Sequence, residues 1–346
     1  MNNQYVYYNT DIDKEAELAV KKRMEKRELR GRCISTGILC LISLVVFSVI
    51  AMILLPLSES ILSDTPFYTD SNLSLIPGMV INSLVSLIGF GVVSVLFCKA
   101  TKTDLSDIFP SDNMSFKKLA GVVLIGFTVC ICSNYIAQLF AIDLSIFGLE
   151  TMYDDAATGS TSIIEHLVYI VSVSIVPAVT EEFIYRGCVM GRLRKFGDGF
   201  ALVTSALLFG MMHGNFTQAP FAFVVGLAAG WAVLYTGSIF PAMLIHGMNN
   251  LISVLSDIAF ENFEIIGINE TYVEIGMMIF FAAMFTLAFV AAYKLSRNDK
   301  EFGKLKPYEG LLTFKERIKT FFTSATIIIF LVLTLIECLL VLKVIE

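Results

Sequence analysis

Nine stretches of this chain are apolar for long enough to cross a lipid bilayer, and that feature constrains the fold more than any other. A hydrocarbon core about 30 Å thick needs roughly 20 apolar residues in a helix. Runs of about that length lie at 34–55, 76–98, 119–142, 163–190, 200–217, 219–235, 239–255, 272–293 and 322–342. Backbone N–H and C=O groups in lipid must be satisfied within the segment. The expected fold class is therefore all-α, a polytopic membrane protein of about nine transmembrane helices. Only 16% of the residues are charged, against about 25% in soluble domains, which excludes a soluble globular enzyme and a disordered chain. A net charge of −6 leaves no excess of cations for phosphates, so nucleic acid is not an expected partner. The seven cysteines include no CxxC pair and read as small buried hydrophobes. The polar first 33 residues and the length of the first run argue against a cleavable signal peptide.

Lys and Arg test the helix count independently. The segment before the first run carries eight, the second loop Lys99, Lys102, Lys117 and Lys118, and the end of the fourth run Arg186, Arg192, Arg194 and Lys195. The loop before the ninth run carries eight more, from Lys294 to Lys319. A nine-helix topology puts 24 of the 25 basic residues on one side, with Lys343 alone opposite. Loops 56–75, 143–162 and 256–271 contain acids and no Lys or Arg. The positive-inside rule then makes the N-terminus cytoplasmic and the C-terminus external, in a plasma membrane. The chain divides into a basic N-terminal tail (1–33), N-terminal transmembrane helices (34–162), a polar-bearing core (163–255) and C-terminal transmembrane helices (256–346).

Polar groups inside a bilayer are expensive, so their location carries the functional information. The first three runs hold no carboxylate, His or basic residue in their interiors. The fourth holds Glu181, Glu182 and Arg186, the fifth Phe209 and His213, and the seventh His246 and Asn250. At about 1.5 Å per residue from the cytoplasmic ends, Glu181 lies roughly 13 Å deep, His213 roughly 20 Å, His246 roughly 10 Å and Asn250 roughly 16 Å. Tilt closes such differences, so a polar cluster is expected between helices 4, 5 and 7. Glu182 and Arg186 are four residues apart on one face and should pair. Glu181 is rotated about 100° away and points elsewhere. His246 and Asn250 share a face, and Phe209 sits one turn before His213. A carboxylate and an imidazole converging on a dehydrated cavity are parts for general-base hydrolysis. Glu181 and His213 could hold and deprotonate a water, while His246 and Asn250 could donate to a carbonyl oxyanion.

Glu181-Glu182-x-x-x-Arg186, Phe209-x-x-x-His213 and His246-x-x-x-Asn250, in that order on membrane helices, resemble the CPBP family of CAAX proteases and bacteriocin-processing enzymes, also called Abi. The resemblance covers about residues 163–255. It implies Glu181 as base, His213 as its partner on the catalytic water, and His246 with Asn250 as the oxyanion site. Glu182, Arg186 and Phe209 support them. The expected substrate is a peptide or protein at the membrane, lipidated or leader-bearing. Family members are described both as metalloproteases and as metal-free glutamate-dependent proteases. No HExxH is present, and Asn is a poor zinc ligand, so no required cofactor is the expectation. If zinc is used, Glu181, His213 and His246 are its candidate ligands.

Two other function classes compete. Intramembrane Glu, Arg and His also build proton-coupled transporters, although these usually have two related halves, and helices 1–3 offer no counterpart to the cluster. A catalytically silent immunity-type binding protein is the third class. Cys188 reads as an inert apolar thiol rather than a nucleophile. Pro177 is expected to kink helix 4 and free carbonyls near the site. Glu337, in the ninth run, reads as a surface-reaching or helix-paired carboxylate.

Overall fold

The basic N-terminal segment and the first apolar run form one continuous helix, α1 (Gln4–Leu62), rather than a separate tail and span. The protein is described by a computed structural model over residues 4–65, 75–108, 114–151, 162–266 and 269–344. Parts of the three acidic loops (66–74, 152–161 and 267–268) and residues 1–3 of the N-terminal segment lie outside these described residues. After α1 follow α2 (Ile76–Thr101), α3 (Phe116–Ile146), α4 (Ile163–Phe196), α5 (Asp198–Met212), α6 (Gln218–Thr236), α7 (Phe240–Ile266), α8 (Glu270–Asn298), α9 (Phe314–Phe322) and α10 (Ala325–Leu340). Each of the nine expected runs has a helical counterpart, and the protein is a polytopic all-α membrane protein. Large apolar side chains such as Met52, Ile146, Met278 and Phe289 stay exposed around the bundle, as lipid-facing positions require.

Two of the nine runs differ from simple spans. Among the described residues, seven helices are long and apolar enough to cross a membrane singly. The ninth run is two helices, α9 and α10, meeting at 64°. At that bend the Thr323 hydroxyl donates to the Lys319 carbonyl at 2.7 Å and the Ser324 hydroxyl to Thr320 at 2.8 Å. Such side-chain bonds compete with helix propagation. The fifth run was expected to continue to 217, but α5 stops at Met212 after 15 residues, about 22 Å. Gly214 then turns the chain at φ +57°. The Asn215 carboxamide oxygen accepts from Thr217 N–H at 2.8 Å and Gln218 N–H at 3.4 Å, starting α6. Non-helical backbone inside a membrane protein is tolerated where it lines a cavity, and this turn does. Gly210 lets α5 and α6 approach closely: a Cβ there would sit 2.6 Å from the Ala219 carbonyl oxygen.

The basic segments gather at one end of the bundle, as the Lys and Arg distribution required. Arg32 Nη1 donates to the Arg192 carbonyl at 2.8 Å, and Lys195 bonds Glu28 at 2.7 Å. Lys22 pairs with Glu316 at 2.9 Å, and Arg317 donates to the Phe196 carbonyl. Lys118 reaches Asp299 at 3.1 Å. Arg186 is the exception: it is buried within α4 rather than standing at its end. Near the other end, Leu149–Thr151 and Leu342–Val344 form a short antiparallel ribbon, with Glu150 opposite Lys343.

Asp299 ties three helix ends together. It accepts from the Tyr235 hydroxyl at 2.7 Å, from Glu301 N–H at 2.9 Å and from Lys118. These donors, the Tyr235 hydroxyl foremost, hold its carboxyl down at about 2, below the roughly 3.9 of an unfolded Asp. A depressed folded-state value means stabilisation that is complete above about pH 4 and lost as pH falls towards 2. Asp299→Asn should therefore melt below wild type at pH 6, and the gap should close on acidification. The fluorescence of Trp231, stacked on Tyr235 at 5.7 Å, reads this directly. A gap independent of pH would contradict it.

Candidate active site

The site is assembled around a deliberately irregular α4. Turns of π type occupy Val171–Ile175 and Phe183–Met190, with Glu181 and Glu182 on the α-helical stretch between them. π-Type turns widen the helix and re-aim side chains, and they concentrate at functional sites. Pro177 has no N–H to give the Val173 carbonyl four residues earlier. Asn250 Nδ2 donates to that carbonyl at 2.9 Å instead, so the freed carbonyl is satisfied from α7. Asn250 Oδ1 in turn accepts from Asn249 at 3.2 Å.

Glu182 and Arg186 form the expected pair, with Nη1 3.0 Å from Oε1 and both side chains at most 1% exposed. The angle falls short of a directed hydrogen bond, and the guanidinium also lies 4.2 Å from the centre of the Phe209 ring. What spacing did not reveal is a third member: Glu182 Oε1 accepts from His246 Nδ1 at 2.9 Å. A carboxylate can only accept here, so Nδ1 carries the proton and Nε2 is the free nitrogen of His246. That nitrogen faces Glu181, with Oε2 at 4.0 Å. Among the described residues Glu181 Oε2 is buried and has no hydrogen-bond partner.

His213 caps the C-terminus of α5, and its Nδ1–H donates to the Phe209 carbonyl at 2.9 Å. The carbonyl fixes the tautomer and leaves Nε2 as the basic nitrogen. Phe209 stands edge-on to both imidazoles, at 5.0 Å from His213 and 5.7 Å from His246. The depth mismatch expected between Glu181 and His213 disappears because α4 runs on to Phe196. Glu181 is then 15 residues from the α4–α5 junction, and so is His213 from Asp198.

Glu181, His213, His246 and Asn250 line one cavity of about 190 Å³ together with Phe209, Pro177 and Asn82. A second lobe of about 310 Å³ shares Glu181, His213, Pro177 and Asn82, and adds walls from α1, α2 and α10. The cluster between helices 4, 5 and 7 is thus real, and it is enclosed by elements for which the sequence offered no role. Asn82 and Glu337 are the lining residues that sequence reasoning missed. A lone amide in an otherwise apolar run was the available signal for Asn82. Cys188 lies elsewhere, its sulfur 3.5 Å from that of Cys98. Among the described residues no three His, Cys, Asp or Glu side chains come close enough to hold one metal ion. The zinc set Glu181, His213 and His246 is therefore not gathered into a ligand shell in this arrangement.

Residues 163–252 match the family model described as type II CAAX prenyl endopeptidase Rce1-like. No curated protein and no solved structure matches the chain. The matched stretch contains every residue of the three motifs, from Glu181 to Asn250. Residues 163–252 are thus similar to the CAAX protease (CPBP) family, a family of membrane endopeptidases, within a larger helical membrane protein.

Proposed function

We propose that the protein is an intramembrane endopeptidase in which Glu181 activates water against a peptide bond, without a covalent acyl-enzyme. The observation that carries this reading is the buried Glu181 Oε2, free of hydrogen bonds among the described residues and facing His246 Nε2 across 4.0 Å in a cavity shared with His213. A water about 2.8 Å from both atoms fits that gap at an angle near 90°. Glu181, partnered by His213, takes one proton as the water oxygen attacks the carbonyl carbon. His246, its Nδ1–H held by the Glu182 carboxylate, can donate to the developing oxyanion only through a protonated Nε2. The Asn250 amide keeps a second N–H for the same oxyanion. Glu181 then returns its proton to the departing nitrogen, the C–N bond breaks, and the new carboxylic acid gives its remaining proton to the amine, so a carboxylate and an ammonium leave. None of these steps uses a metal.

The proposed substrate is a lipidated or leader-bearing peptide held at the bilayer, entering from the cytoplasmic side of a plasma membrane. Clustering of the basic segments at one end supports that orientation. Purified protein in detergent should cleave members of a quenched fluorescent peptide library, plain or prenylated. His213→Ala should cut the rate by roughly 10²–10⁴-fold while melting as wild type does. No cleavage of any peptide by wild type, or an unchanged rate in the variant, would overturn the proposal.

A further inference from the structure

Glu337 is a carboxylate with no evident reason to be where it is. It lies on α10, thirteen residues into a helix that starts at Ala325, about 18 Å along the axis. That is close to the depth of His213 at the end of α5. Its side chain is half-buried against the α5–α6 turn: a Cβ on Gly214 would sit 3.2 Å from Glu337 Cβ and 3.1 Å from Oε2. Gly214 thus serves both the left-handed turn and the room for Glu337. No hydrogen bond or ion pair to the Glu337 carboxylate is present among the described residues. A carboxylate in a membrane bundle without a partner is costly enough to need a function.

The surroundings define one. Glu337 lines the 310 Å³ lobe with Glu181 and His213, and no Lys or Arg lines it. Leu44, Phe47 and Phe90 supply apolar walls, while Asn82 and Ser86 supply neutral polar groups. A lobe with apolar walls and two carboxylates but no cation is the complement of a side chain with a methylene stem and a cationic tip. An anionic or purely apolar occupant would leave the two carboxylates uncompensated.

We infer that this lobe is a cation-binding subsite, in which Glu337 receives the Lys or Arg side chain of a substrate residue near the scissile bond. The inference rests on the proposed endopeptidase reading, for it names the substrate class of the same cleft. Glu337 is a specificity residue, set beside the catalytic groups rather than among them.

Binding separates the two claims. Otherwise identical fluorescent peptides, carrying lysine or norleucine at each position in turn, are titrated against Glu181→Gln protein and against Glu181→Gln/Glu337→Gln. At one position lysine should bind roughly 10- to 100-fold tighter than norleucine, and the double variant should lose that preference. Glu337→Lys in the same background should favour glutamate over lysine at that position, a gain that a merely misfolded protein cannot produce. Equal affinities for lysine and norleucine at every position, or a preference that survives Glu337→Gln, would overturn the inference. A lysine preference in a protein that cleaves nothing would instead leave the subsite standing and sink the endopeptidase reading.

Discussion

Glu181→Gln is expected to slow peptide cleavage by about 10³–10⁴-fold, the upper range for loss of a general base. The substitution keeps the shape and removes only the capacity to take a proton. Glu181 Oε2 has no hydrogen bond among the described residues, so the amide breaks no hydrogen bond that this oxygen makes. The Glu182–Arg186–His246 group is left in place, and the variant should express and melt like wild type. Single-turnover cleavage measured beside a thermal melt checks both halves. A variant that cleaves at the wild-type rate would remove Glu181 from the chemistry. One that fails to fold would instead mean that Glu181 is structural.

Arg186→Ala should act on the opposite quantity. Glu182 and Arg186 are both at most 1% exposed, and removing one member of a buried pair typically costs about 3–5 kcal/mol, because the other charge is stranded. Arg186 also covers the Phe209 ring, so some packing is lost with the charge. A large drop in melting temperature is expected, read through Trp231, the chain's one tryptophan. The paired replacement Glu182→Leu/Arg186→Met removes both charges and should recover most of that stability. It should nevertheless remain poorly active, since His246 loses the carboxylate that holds Nδ1. Normal melting of Arg186→Ala would refute the burial argument, and full activity of the double variant would refute the role of Glu182 as anchor for His246.

How far these groups could be read from the sequence follows the range of each interaction. The spans and the one-sided basic segments are carried by local composition, and both appear in the structure. Glu182–Arg186 was legible because its members are four residues apart on one helix. Glu182–His246 was not, since it joins two helices 64 residues apart and depends on the wider turns of α4. The end of α5 was misplaced because only a short polar break, Gly214 to Gln218 with Phe216 inside it, separates the fifth apolar run from the sixth. The punctuation is a single left-handed glycine and the Asn215 cap, weak signals beside hydrophobicity. Pro177 announced freed carbonyls, but only the fold shows Asn250 taking that of Val173. Glu337 looked like a stray carboxylate because its meaning depends on α10 lying against the turn at Gly214.

The central claim is direct attack by water at Glu181, and acid-quenched single-turnover cleavage in ¹⁸O-labelled water tests it most directly. Product and enzyme are both weighed by intact-mass spectrometry through the time course. The account predicts one ¹⁸O atom in the new carboxylate and an enzyme mass that never changes. A transient enzyme-bound acyl fragment, on Cys188 or any other residue, would contradict it.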